Sequence, residues 1–350
     1  MNYLRGPAFF ETLGCCACAM RCFSMPATVK GLYPEVKPYE DGMLEVGDGN
    51  LIYWETCGNP AGKPALVVHG GPGSGCTPAQ RRLFDPALYR VVLFDQRNCG
   101  RSLPHASRPE TDLSKNCTAN LLADIELLRR RLKIDRWTLL GSSWGSTLAL
   151  LYAEANPERV SEILLWGVTT GRHEEFDWWF RGGAALLFPE QWERLRDALP
   201  VADRDHDVAH AYYRLLHDAN PSVRSDAALN WCRWESITSL SAPGEELSPR
   251  FLHADFRMAY ARIVTHYVTH NAWLEDGAVL RDAARLGGIP GVMVSGRLDV
   301  QAPLRWAWDL KRAWPQVRHV IVEKAGHGGS VAATAELIAA TDEFAGRGTR

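Results

Sequence analysis

Six short segments of the chain are almost continuously apolar: residues 66–68, 89–94, 137–140, 163–166, 292–294 and 319–322. They are rich in Val, Leu and Ile and unbroken rather than alternating, which is the pattern of strands covered on both faces, so they predict a parallel sheet. Between them, residues 119–132 and 146–156 carry apolar positions at helical spacing. The chain therefore reads strand, helix, strand, as an α/β fold with a mostly parallel central sheet does. The strand signal stops near Val168 and resumes near Gly291. In between, residues 176–187, 191–199, 208–217, 223–236 and 256–270 are helical in period and rich in Trp and Arg, with 241–249 reading as a polar loop. This predicts a helical cap of residues 169–285 inserted into an α/β domain built from residues 32–168 and 286–350.

Composition narrows the classes. Lys and Arg number 39 and Asp and Glu 41, a net charge of −2, so no field of one sign is available to hold polyphosphate, and nucleic acid is not expected as a partner. No run reaches the roughly 18 apolar residues that a membrane helix needs, so no membrane partner is expected. The sequence does not speak to oligomeric state. Four of the nine cysteines, Cys15, Cys16, Cys18 and Cys22, crowd the first segment, yet no Cys/His pair at zinc spacing follows them. No metal and no cofactor are expected. Residues 1–31 carry neither periodicity nor cap signals; they read as a disordered or non-native extension, with Met20 or Met25 as alternative starts. Absence of a secretion signal, with cysteines mostly unpaired, points to the cytoplasm.

The strongest chemical signal is Gly141-Ser142-Ser143-Trp144-Gly145, a G-x-S-x-G that follows a predicted strand and precedes a predicted helix. A serine on such a turn has its hydroxyl exposed, and small residues two before and two after let neighbouring backbone approach. Ser143 is the candidate nucleophile; its competing reading is a helix cap. A serine needs a base, and the base a carboxylate to fix its tautomer. Asp299, beyond strand 292–294, and His327, beyond strand 319–322, occur in the chain order Ser, Asp, His and at strand ends, where parallel sheets gather ligands. His69-Gly70-Gly71-Pro72-Gly73 ends another strand and offers bare backbone. The N–H groups of Gly71 and Trp144 are the candidate oxyanion hole, and His69 itself reads as structural.

Taken with Leu32-Tyr33-Pro34-Glu35, Asp95-Gln96-Arg97, Gly100-Arg101-Ser102 and the cap segment Trp231-Cys232-Arg233-Trp234-Glu235, these motifs resemble the proline iminopeptidase family of α/β-hydrolase serine peptidases, from about residue 31 to 344. The resemblance implies release of an N-terminal residue, usually proline, from a small peptide or amide. It also implies an acidic anchor for the substrate's free amine, which by motif position is Glu235. Read alone, Glu235 is equally a solvated or ion-paired helix residue. The chain departs from the family pattern at Ser142 and Asn98, each a glycine in the family. It departs again at Val264, where the family has a second amine-binding glutamate, at Trp166 for an arginine and at Ala302 for a cysteine. A site lacking that carboxylate and arginine leaves open an esterase or amidase acting on a small non-peptide substrate. Of the cap tryptophans Trp178, Trp179, Trp192, Trp231, Trp234 and Trp273, one or two are expected to wall a pocket and the rest to pack a core.

Deleting residues 1–30 is expected to leave the melting temperature and activity of the protein unaltered. A fall of many degrees, read by calorimetry on the truncated chain, contradicts this.

Overall fold

The structure is a computed structural model and describes residues 31–239 and 247–347. The expected N-terminal extension, Gly31 apart, and most of the polar loop at 241–249 lie outside the described residues. Eight strands form one sheet in the order β1-β2-β4-β3-β5-β6-β7-β8: β1 (Glu40–Glu45), β2 (Leu51–Gly58), β3 (Lys63–Val68), β4 (Tyr89–Phe94), β5 (Trp137–Ser142), β6 (Val160–Trp166), β7 (Gly291–Gly296) and β8 (Arg318–Val322). From β4 onward across the sheet every pairing is parallel, with Val67 opposite Leu140 and Leu140 opposite Leu164. The six expected strands are all present. The two that the apolar pattern missed, β1 and β2, pair antiparallel at one edge. There β1 shows only alternate residues to the interior and has no fully buried position.

Helices cover both faces. Pro78–Arg81 (α1) is a single turn; Thr118–Arg131 (α2) and Trp144–Ala155 (α3) follow β4 and β5. The sequence between β6 and β7 holds only helices among its described residues: α4 (His173–Phe180), α5 (Pro189–Asp197), α6 (Val208–Leu215), α7 (Pro221–Ser239), α8 (Ala254–Thr269) and the short α9 (Ala278–Asp282). Leu304–Ala313 (α10) and Val331–Ala345 (α11) complete the fold. The sheet buries Leu66, Val68, Phe94 and Leu139 on one face and Leu140, Leu164 and Val292 on the other. The helical insertion has a core of its own around Phe180, Tyr212, Trp231, Trp234 and Phe251. Helix α8 belongs to both, with Ile263 and Tyr267 in the sheet's cluster and Tyr260, Val264 and Val268 in the insertion's. Val279, Ala283 and Leu286 pack with the sheet's cluster. Among the described residues no helix is long and apolar enough to cross a membrane.

The Asp95-Gln96-Arg97 motif ties the loop after β4 to its surroundings. Arg97 grips Asp124 of α2 through Nε to Oδ2 at 2.7 Å and Nη2 to Oδ1 at 2.8 Å, and also donates to the carbonyls of Val46 and Lys115. Both charged side chains are 2 % exposed, and breaking a buried, hydrogen-bonded pair by removing one partner leaves an uncompensated charge. Asp124→Ala is therefore expected to lower stability by about 3 to 5 kcal/mol, read as a shifted urea midpoint at constant m. An unmoved midpoint would show the pair to be energetically idle.

Candidate active site

Strand β5 hands the chain to α3 through a turn in which Ser143 takes φ 54° and ψ −126°. A non-glycine residue in such a conformation costs on the order of 1 to 3 kcal/mol, and the surroundings hold it there. Its N–H donates to the Trp166 carbonyl at 2.9 Å. Its carbonyl accepts from the Ser146 N–H at 2.7 Å, from Ser146 Oγ at 2.6 Å and from Thr169 Oγ1 at 2.9 Å. The two motif glycines are required by contact: a Cβ on Gly145 would lie 2.1 Å from the Val68 carbonyl oxygen, and one on Gly141 2.4 Å from that of Gly145. The Ser143 side chain opens onto a cavity of about 410 Å³ between the sheet's carboxyl edge and the helical insertion.

His327, on the loop after β8, shares that cavity. Its Nδ1 lies 2.9 and 3.0 Å from the two carboxylate oxygens of Asp299, whose Oδ1 also accepts from the Ala302 N–H at 2.7 Å. A carboxylate only accepts, so Nδ1 carries the proton and Nε2 is the free base. Gly167 makes room for the ring, since a Cβ there would sit 3.0 Å from His327 Cε1. Trp166, the residue in place of the family's arginine, donates its indole N–H to the His327 carbonyl at 3.1 Å and so braces this loop. The structure thus brings Asp299 and His327 into direct contact and sets Ser143 across the same cavity. It forms no hydrogen bond between Ser143 Oγ and His327 among the described residues. Such links commonly tighten only once substrate is bound.

The loop after β3 reaches Ser143 from the other side. A Cβ on Gly70 would meet the Ser142 carbonyl at 2.7 Å, so only glycine lets the two backbones approach. Gly71, Ser143 and Trp144 together line a second, apolar cavity of about 40 Å³. The Trp144 N–H is the first of α3, where amides have no partner within the helix. His69 is fully buried and part of the scaffold: it accepts from the Gln96 N–H at Nε2, 3.0 Å away, and its Nδ1 faces the Gly70 carbonyl at 2.9 Å. Burial lowers its pKa. Gln96 joins both halves of the site, donating to the His69 carbonyl at 2.8 Å and accepting from the Trp144 indole at 3.2 Å. Asn98, which replaces a family glycine, has φ 64° and donates to Asn50 and to the Pro104 carbonyl; Asn tolerates this backbone region well.

Glu235 of α7 is completely buried and stands one layer behind the wall of the larger cavity. Its Oε2 accepts from Tyr260 Oη at 3.2 Å and lies 3.5 Å from Gln301 Nε2, and both of those residues line the cavity. Its Oε1 is buried and makes no hydrogen bond of normal geometry, with the Trp231 indole N–H, itself otherwise unpaired, near the carboxylate. Burial pushes its pKa up to about 7, while the positive charge of Arg250 works in the opposite direction. Val264, by contrast, forms apolar wall in the smaller cavity beside Tyr267, Phe176 and Phe180. That cavity does hold a carboxylate which the sequence reading missed. Glu175 of α4 lines it, its oxygens held by the Thr170 and Gly171 N–H groups, the Thr170 hydroxyl and Arg172. Burial raises its pKa, and its acceptors are already engaged. Gln301 and Arg250 were missed as well. Of the six tryptophans, Trp179 alone lines the two cavities around Ser143, whereas Trp231 and Trp234 pack the insertion's core. Among the described residues no group of His, Cys, Asp and Glu is arranged to hold a metal ion.

Comparison with known proteins agrees with this architecture. A family profile described as alpha/beta hydrolase fold matches residues 63–331. The chain is 51 % identical over 322 residues to a probable proline iminopeptidase of Streptomyces coelicolor, covering 91 % of this chain and 99 % of that protein. It is 44 % identical to a proline iminopeptidase of Xylella fastidiosa, over 90 % of this chain and all of that protein. An Arabidopsis thaliana proline iminopeptidase is 40 % identical over 89 % of this chain and 82 % of its own length. Among solved structures, the proline iminopeptidase of Mycobacterium smegmatis superposes with a TM-score of 0.57 at 18 % identity, over 88 % of this chain and 98 % of that one, a likeness of fold alone. The chain belongs to the proline iminopeptidase family of the α/β-hydrolase fold.

Proposed function

We propose that the protein is a serine aminopeptidase that releases an N-terminal residue, preferably proline, from short peptides or amides through an acyl-enzyme. Ser143 Oγ attacks the scissile carbonyl while His327 Nε2 takes its proton. Asp299 keeps the imidazole in the tautomer that leaves Nε2 free and stabilises the imidazolium once it forms. The developing oxyanion is received by the N–H groups of Gly71 and Trp144, each worth about 3 to 4 kcal/mol of transition-state stabilisation. The imidazolium then protonates the leaving amine, and water repeats the attack on the acyl-enzyme.

The small apolar cavity beside Ser143, walled by Phe176, Phe180, Val264 and Tyr267, offers apolar contact to one face of the acyl residue's ring. The single observation that carries the aminopeptidase reading is the unpartnered Oε1 of Glu235. A buried carboxylate oxygen without a full hydrogen bond is costly, and a substrate ammonium reaches it from the cavity once Tyr260 and Gln301, which line the wall and donate to Glu235, give way to it. Val264 and Trp166 favour the second reading, an esterase or amidase acting on an uncharged small substrate, because neither can engage an ammonium or a carboxylate as the family's residues do. In either reading, residues 169–285 act as a cap over a catalytic domain of residues 32–168 and 286–350. The cytoplasm is the proposed compartment, in keeping with the five free cysteines among the described residues.

Ser143→Ala is expected to reduce turnover of a proline arylamide by about 10⁴-fold or more, while a chelator leaves the wild-type rate unchanged. Activity that survives in the variant but vanishes on chelation rules out the serine mechanism.

The pH dependence isolates Glu235. Its carboxyl is charged above pH 7 and neutral below, so the KM for a free-amine substrate is expected to rise about tenfold per unit as pH falls from 7. A matched ester without an amine should not follow. Glu235→Gln should abolish that pH dependence and cost about 10²- to 10³-fold in kcat/KM on the free amine, and Val264→Glu should strengthen the preference. Equal rates on free and N-acetylated amides, indifferent to Glu235→Gln, would leave the esterase reading in its place.

A further inference from the structure

The catalytic cavity carries a fixed positive charge that the acyl-transfer chemistry does not use. Arg250 lines the same cavity as Ser143 and His327. Its guanidinium lies over two rings, with Cζ 4.4 Å from the centre of Phe251 and 5.1 Å from that of Tyr260. It makes no ion pair with any described residue. Among the described residues that line the cavity, it is the one side chain with a permanent charge, since Glu235 stands behind the wall and the rest are neutral or, as with His327, titratable. A guanidinium stacked on aromatic rings keeps its N–H edge free, and that edge matches a carboxylate in a two-pronged hydrogen bond.

Tyr260 spans the two charges. Its ring carries Arg250 on its face, and its hydroxyl donates to Glu235. The separation of guanidinium and carboxylate is thus of the order of one tyrosine side chain. A two-residue peptide chain spans at most about 7 Å between its ends. Electrostatics favours the same partner: a substrate that brings an ammonium without a carboxylate leaves the Arg250 charge uncompensated beside it, whereas a zwitterion satisfies both ends.

We infer that Arg250 is a subsite for the carboxylate of the leaving residue, so that free dipeptides are the favoured substrates over longer chains, C-terminal amides and arylamides. This rests on the acyl-transfer reading given above, with cleavage between the two residues.

The experiment compares kcat/KM for prolylalanine and prolylalanine amide in wild type, Arg250→Met and Arg250→Lys. The wild type is expected to favour the free acid by about 10- to 100-fold. Arg250→Met should erase that ratio: both dipeptides slow, because the Arg250 charge also lowers the pKa of Glu235, but the acid slows by about tenfold more, and Arg250→Lys should restore part of the ratio. The same ratio is measured in parallel for 4-carboxyphenyl acetate against 4-carbamoylphenyl acetate, a pair that carries no amine. A fall of about tenfold in the acid-to-amide ratio on Arg250→Met supports the subsite in either pair. If the ratio moves only in the acetates and neither dipeptide is turned over, the aminopeptidase reading falls and the carboxylate subsite stands. A ratio unmoved by Arg250→Met in every pair that is turned over overturns the subsite.

Discussion

Ser143 is presented to the cavity by a backbone forced out of its preferred conformation, and much of this fold is arranged around that one residue. Ser143 is held at positive φ by hydrogen bonds to its carbonyl from Ser146 and Thr169 and by the Trp166 carbonyl that accepts its N–H. Those partners come from α3, the segment after β6 and β6 itself. The elbow therefore exists only when β5 and β6 are paired and α3 is packed against them. The same closeness explains the glycines, since Gly141, Gly145 and Gly70 occupy places where a Cβ would run into backbone carbonyls. Strain on the order of 1 to 3 kcal/mol is small against the burial energy of the sheet, which is why the scaffold can hold it.

The second constraint is the carrying of buried charge. Arg97 meets Asp124 at two points and gives further N–H groups to backbone carbonyls, and Glu175 is saturated by backbone and hydroxyl donors. Glu235 is different: one oxygen is engaged and the other is not, in a site without water-facing surface. Groups of this kind are uncommon in folded proteins and call for an explanation, and a ligand that completes the set is one. With Val264 in place of a second carboxylate, Glu235 is the one carboxylate that the proposed function assigns to the amine. The burden of recognition then shifts to apolar packing around the acyl group and to whatever charge the leaving group carries.

Much of this was legible in the sequence. The six central strands are legible because a strand covered on both faces must be apolar throughout, and residues 137–140 or 292–294 admit no other reading next to their turns. The edge strand β1 is not, because it exposes alternate residues, and β2 beside it is not, because the buried polar residues Glu55 and Thr56 interrupt its apolar run. A helix expected over 176–187 stops at Phe180 because Gly182 takes φ 103° and Gly183 abuts the backbone of Trp178, a packing event with no local sequence signature beyond the paired glycines. The positions of Ser143, Asp299 and His327 could be read because strand ends and chain order constrain them. Glu175, Gln301 and Arg250 could not, since each is an ordinary helix or loop residue until the insertion folds back over the sheet.

The proposed mechanism requires Ser143 to be the residue that becomes acylated, and direct labelling tests that with the fewest intermediate assumptions. An alkyl fluorophosphonate, which modifies only an activated serine, is incubated with the protein, and intact mass and peptide mapping locate the adduct. The account predicts one adduct per chain, on the peptide containing Ser143, absent in Ser143→Ala and formed far more slowly in His327→Ala. An unmodified chain, or an adduct on any other residue, would contradict it.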